Sequence, residues 1–162
     1  MHLLDTPVVL ALRDARGKAD PGLVAWAAEL LPPSLFISAI TLHELEENAR
    51  QAMRKDRTVG ATWRAWIDDQ VLRAFDRRIL AVDAAVVRRA ARLDYADQRD
   101  ALLASTALEH GLSLATLRPG AFRSGRVKVL DPTGYVASTG QGDWRQAVRA
   151  TPMWLKNLFE RS

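Results

Sequence analysis

The sequence predicts an α/β fold, with a mostly parallel sheet carrying helices on both of its faces. Two observations point there. Short apolar runs of strand length alternate with longer helical stretches along most of the chain, and parallel strands need such helical crossovers. Several of those runs also end beside an acidic or hydroxyl residue that can start the next helix, the grammar of a strand-to-helix turn. The length of 162 residues suits one domain with a tail and is enough to bury a real core.

The elements follow in order. His2-Leu3-Leu4 is a short apolar strand ending at the carboxylate of Asp5. Thr6-Pro7 then opens a helix running to Arg13, since proline at a first helical position forfeits only an orphan N–H. Residues 14–22 are a polar turn region, and residues 23–31 a second helix stopped by Pro32-Pro33. Residues 35–39 read as a strand. Thr41 with Glu44 three positions on then forms a capping-box pattern. Leu42, Leu45, Ala49 and Met53 share the apolar face of that helix, and Glu44 lies off it, in the expected first turn near the sheet edge.

Residues 50–57 are strongly basic and end that helix in a loop. Residues 58–75 resume a helical pattern through Trp63, Trp66, Ile67 and Val71, where two tryptophans indicate core or a subunit contact. Residues 78–82 form a strand, and Asp83 caps the helix at 84–93. From Asp97 to Gly111 runs a helix of small and apolar residues, capped by Asp97 or Asp100 and closed by glycine in a left-handed conformation. Its alanines, Ser105 and Thr106 leave room for close packing. Residues 112–115 and 127–130 are the last strands, and Asp131-Pro132 turns the chain out. The tail at 143–160, with Trp144, Val148, Met153, Trp154, Leu155 and Leu158, reads as an added helix interrupted at Pro152.

Composition excludes several classes of function. There is no cysteine, which rules out disulfides and thiolate metal sites. No apolar run approaches the roughly 18–20 residues that cross a bilayer. The N-terminus lacks a basic segment followed by a long apolar one, so a cytoplasmic protein is the expectation. A net charge of +4, with arginine far outnumbering lysine, permits a phosphate-bearing partner without requiring one.

Three acids stand out together. Asp5 ends the first strand, Glu44 lies early in the helix after the second, and Asp100 opens the helix before the fourth. In a doubly wound sheet these points can converge on one crevice at the carboxyl edge. Clustered carboxylates repel unless a cation neutralises them, and oxygen-only ligands suit Mg²⁺ or Mn²⁺. Such an ion is the usual apparatus for phosphodiester hydrolysis. Each acid also has a local explanation as a helix cap.

The segments Leu3-Leu4-Asp5-Thr6, residues 37–45, residues 78–83 and residues 100–111 resemble the PIN domains of VapC-type toxins from bacterial toxin–antitoxin pairs. The similarity extends to about Pro132. The resemblance implies a three-layer α/β/α sandwich, set here at residues 1–136, and the tail pattern adds a helical extension at 137–162. It further implies a Mg²⁺- or Mn²⁺-dependent ribonuclease, a homodimer, and inhibition by a VapB-like antitoxin. Asp5, Glu44 and Asp100 fall on three acidic positions of the family site, and Thr6 and Thr116 beside it, where a hydroxyl can hold metal-bound water.

Two departures qualify the resemblance. Pro7 stands where the family has asparagine, which also speaks against an Asp-x-Asp phosphatase of the haloacid-dehalogenase type. Ala121 stands where the family places a fourth carboxylate, and no acid occurs between Gly111 and Leu130. A three-acid site still suits one Mg²⁺ with water completing the octahedron. Arg118, Arg123 and Arg126 in and after this loop are candidates to contact phosphate. Two functions therefore follow, a ribonuclease with a simplified site and a degenerate PIN domain that binds RNA or an antitoxin-like partner without cutting.

Overall fold

A computed structural model describes residues 1–14, 20–136 and 158. Five strands form one parallel sheet in the order β3-β2-β1-β4-β5: β1 His2–Leu4, β2 Leu35–Ser38, β3 Ile79–Leu80, β4 Ser113–Ala115 and β5 Val129–Leu130. The chain builds outward from β1 through β2 to β3, then returns to place β4 on the other side of β1. That reversal puts a topological switch point between β1 and β4, where a crevice opens beyond the carboxyl ends of the strands. The register pairs Leu4 with Ile37 on one side and with Ala115 on the other.

Side-chain alternation splits the core into two layers. Leu4 faces one with Val8, Val9 and Leu12 of α1 (Thr6–Arg13), Leu23 and Trp26 of α2 (Pro21–Glu29), and Leu45 of α3 (Ala39–Lys55). Leu3 faces the other with Leu103, Ala104, Ala107, Leu114 and Phe122. Adjacent residues of a strand point to opposite faces, so the consecutive apolar pair Leu3-Leu4 serves both layers. The expected sandwich, helices on both faces of a parallel sheet, is the one observed.

Several boundaries differ from the sequence reading. Helix α3 starts at Ala39 because the Ser38 hydroxyl accepts from the Ile40 N–H at 3.2 Å. Thr41 therefore lies inside the helix, and its buried hydroxyl donates to the Leu4 carbonyl at 3.2 Å. The capping box predicted from Thr41 and Glu44 is not formed, and Glu44 sits in the second turn. The helix expected over 58–75 is three pieces: α4 Arg57–Trp66, a π-helical turn Ile67–Val71 and α5 Leu72–Ala74. Trp66, Ile67, Val71 and Phe75 are all buried, so the wider turn keeps both Ile67 and Val71 in the core. Trp66 is core, its indole N–H donating to the Leu158 carbonyl at 2.7 Å, while Trp63 carries the Arg13 guanidinium 3.8 Å above its ring. The close pairing of α3 with α4 depends on Gly60, where a Cβ would lie 2.3 Å from Met53 Cα.

On the opposite layer, α6 (Ala84–Ala90) leads to α7 (Gln98–Glu109). Asp97 is the α7 cap, accepting from the Arg99 N–H at 2.8 Å, which leaves the Asp100 carboxylate free to face elsewhere. Buried Ala101, Ala104, Ser105, Thr106 and Ala107 bring α7 close to the sheet, and Gly111 ends it at φ +63°. Apart from Leu158, the tail helix predicted at 143–160 and the 137–162 extension lie outside the described residues.

Candidate active site

The carboxyl edge gathers the predicted acids from three separate elements. Asp5 follows central strand β1, and its N–H donates to the Ala115 carbonyl of β4 at 2.9 Å, which pins it at the switch point. Its side chain caps α1 by accepting from the Thr6 N–H at 2.8 Å, and it is fully buried. Glu44 projects from α3 one turn beyond Thr41, whose bond to Leu4 sets the helix over the end of β1. Asp100, 4% exposed, comes from the first turn of α7.

One guanidinium joins all three. Arg99 Nη2 donates to Asp5 Oδ1 at 2.5 Å and to Glu44 Oε2 at 2.7 Å, and its Nη1 donates to Asp100 Oδ1 at 2.6 Å. Its Nε bonds the other Glu44 oxygen. Burial alone would lower the Arg99 pKa, but the bonds to Glu44 and Asp5 and the charges of both acids raise it instead. A cation that partly offsets this cluster is thus supplied by the chain itself.

Hydroxyls complete the inner shell. Thr116, directly after β4, donates to Asp5 Oδ2 at 2.7 Å, and the Thr6 hydroxyl donates to Glu44 Oε2. Thr6 and Thr116 thus bond two of the predicted acids directly. Arg118 Nη2 donates to Asp100 Oδ1 at 2.8 Å and lies 3.6 Å from Asp5 Oδ2. The bond to Asp100 chiefly holds the Arg118 guanidinium above its ordinary pKa. Near the same carboxylate, burial and then the Asp100 charge raise the Tyr95 phenol. Thr6, Pro7, Leu10, Glu44, Arg99 and Arg118 line a cleft of about 360 Å³.

Other expectations separate from this cluster. Arg123 is exposed beyond the short turn Pro119–Phe122, as is Arg126, and neither is brought to the carboxylates. Asp97 is occupied as a cap. Ala121 packs at the edge of the apolar layer containing Leu103 and Phe122. Arg99 is the site residue that sequence reasoning missed. Its signal was a basic side chain in a helix's first turn, where the dipole disfavours positive charge unless nearby acids compensate.

The donor set of three carboxylates and two hydroxyls fits a hard divalent ion in its chemistry. As placed, however, no three acidic or histidine side chains among the described residues are gathered to hold one ion. Arg99 stands among them.

A doubly wound sheet with buried acids and hydroxyls at its switch point defines the class, an α/β domain whose ligand crevice is lined with oxygen donors. The PIN domain family model matches residues 2–118, and the chain belongs to the PIN domain family. Ribonuclease VapC14 of Mycobacterium tuberculosis is 42% identical over 74 residues, covering 46% of this chain and 70% of the relative. The crystal structure of FitAcB from Neisseria gonorrhoeae shares the fold with a TM-score of 0.73 at 29% identity, over 82% of this chain and 98% of that one. A toxin–antitoxin complex from Klebsiella pneumoniae matches with a TM-score of 0.56 at 27% identity, over 82% of this chain and 98% of its own.

Proposed function

We propose that this PIN domain is a metal-dependent endoribonuclease, the toxin of a VapBC-type pair, acting in the cytoplasm. The observation that carries the reading is the convergence of Asp5, Glu44 and Asp100 from three separate elements at the switch point. The resemblance to a named ribonuclease and to a chain from a toxin–antitoxin complex supports the same reading.

Asp5, Glu44 and Asp100 would hold Mg²⁺ or Mn²⁺, which when bound supplies charge neutralisation at the scissile phosphate and a more acidic water. The chain's own groups do the rest. The Thr116 hydroxyl bonds one oxygen of Asp5 and the Thr6 hydroxyl one of Glu44, each restricting the rotation of its carboxylate. Arg118, 42% exposed at its side chain, presents a cation to the mouth of the cleft where a phosphate backbone would pass. The partners on this reading are an RNA substrate, a VapB-like antitoxin and a second copy of the chain.

The test is cleavage of end-labelled RNA by purified, antitoxin-free protein with Mg²⁺ or Mn²⁺ against a chelator control. Wild type cuts only with metal, and Asp5→Asn and Asp100→Asn do not cut. A wild type that binds RNA but cuts nothing establishes the second reading, a degenerate binding domain. That reading draws on Ala121 in the place of a fourth acid and on two arginines already seated against the carboxylates.

A further inference from the structure

We infer that Arg99 is a built-in competitor of the divalent ion, holding the acid cluster closed until metal displaces it. The inference rests on the metal-dependent reading above and concerns how the site loads.

The geometry is that of a plug. Arg99 bonds Asp5, Glu44 and Asp100 together, and its Nη2 also reaches the Thr6 hydroxyl at 3.4 Å. Both carboxylate oxygens of Glu44 and one each of Asp5 and Asp100 are taken up by this side chain. No three acidic side chains among the described residues are gathered to hold one ion, and at these three acids the planar fork of Arg99 stands between the carboxylates. An ion that draws the carboxylates together must remove those bonds.

Charge gives the exchange its direction. Three carboxylates facing Arg99 and Arg118 carry one net negative charge. Replacing Arg99 by a divalent ion makes the cluster neutral, whereas adding the ion with both arginines in place makes it positive. Release of Arg99 is therefore coupled to loading. The side chain is 21% exposed and lines the cleft of Pro7, Leu10 and Arg118, so it has a route outward. Its backbone lies in the first turn of α7 beside the cleft mouth, and the freed guanidinium stays near incoming phosphate. Asp97, which caps the same turn through the Arg99 N–H, holds the backbone while the side chain moves.

Two measurements test this, neither relying on cleavage. The first is calorimetric titration of Mn²⁺ into wild type, Arg99→Gln and Arg99→Lys, with Asp5→Asn as the control for site binding. Competition predicts that Arg99→Gln binds about tenfold more tightly, the factor expected where the open site is populated roughly one-tenth of the time. Arg99→Lys, which keeps the charge but cannot span three acids, should fall between. The second uses wild type alone, so it holds even if the variants fail to fold. Phenylglyoxal labelling of Arg99, followed by peptide mass, should be slow in chelator and accelerate several-fold with Mn²⁺.

If Mn²⁺ binds in an Asp5-dependent way, yet affinity in Arg99→Gln is unchanged or weaker, the inference is wrong and the nuclease reading stands. Labelling of Arg99 that Mn²⁺ leaves unchanged, with binding intact, likewise overturns the inference alone. Absence of Asp5-dependent Mn²⁺ binding in every protein overturns both.

Discussion

Asp5 and Asp83 are the same local device in two places. Each follows a strand of the sheet, and each caps the helix that comes next, Asp5 through the Thr6 N–H and Asp83 through the Val86 N–H at 3.0 Å. Yet Asp5 is fully buried among Thr116, Arg99 and Arg118, whereas Asp83 is exposed. The difference is the strand beneath. Central β1 has neighbours on both sides, so other chain segments converge beyond its end, while β3 is an edge strand. A cap at the switch point gains partners from other chain segments, and a cap at the edge remains a cap.

The sharpest test sets the two aspartates against each other. Asp5→Asn is expected to lower RNA cleavage by roughly 100- to 1,000-fold or more, the scale for removing a group that stabilises developing charge. Asp83→Asn assayed beside it should cut at the wild-type rate, and equal losses would break the comparison. Thr116→Val asks whether the orientation of Asp5 matters as well as its charge. Loss of that single bond should slow cleavage about 10- to 100-fold, as with other partners of ligating groups, while denaturant unfolding changes by about 1 kcal/mol.

Arg118→Ala removes the exposed cation over Asp5 and Asp100. It should weaken RNA binding several-fold, most at low salt, and reduce the salt slope by about one. For the edge aspartate the expected cost is in stability alone. Asp83→Ala should lower unfolding free energy by about 1 kcal/mol through the lost cap, with cleavage unaffected.

The smallest effect belongs to an exposed pair remote from both aspartates. Hydrogen bonds from Arg50, then Gln51, lower the Glu47 carboxyl from 4.5 to about 2. Its folded value is depressed, so its contribution is present above pH 4.5 and is lost as pH falls toward about 2. Because the pair is solvent-screened, the thermal midpoint of Glu47→Gln at pH 7 should differ from wild type by less than that of Asp83→Ala.

Much of the fold was legible because its signals are local. Leu3-Leu4, the Pro32-Pro33 stop, the small-residue helix and Gly111 each state their conformation within a few residues. Boundaries slipped where two local rules competed. Ser38 and Thr41 are both plausible helix starters by chemistry, and burial of Thr41 against the Leu4 carbonyl decided for Ser38. The same competition arose between Asp97 and Asp100, and its outcome is what leaves Asp100 free for the cleft.

By itself, the sequence determined the alternating α/β order and two acids at the mouths of helices, Asp5 and Asp100, with Glu44 one turn further into its helix than expected. It also determined the absence of an acid near Ala121. Only the tertiary structure decided that Asp5 rather than Asp83 has company. It alone placed Thr116 on a carboxylate 111 residues away, and Arg99 on one 94 residues away. The reason is one of range. Caps, turns and periodicity are fixed by neighbours along the chain, whereas a charge cluster depends on strand order, which no local pattern encodes. Arg99 shows the gap most clearly: unfavourable in its own helix turn, it becomes favourable only when the distant Asp5 and Glu44 join its neighbour Asp100 around it.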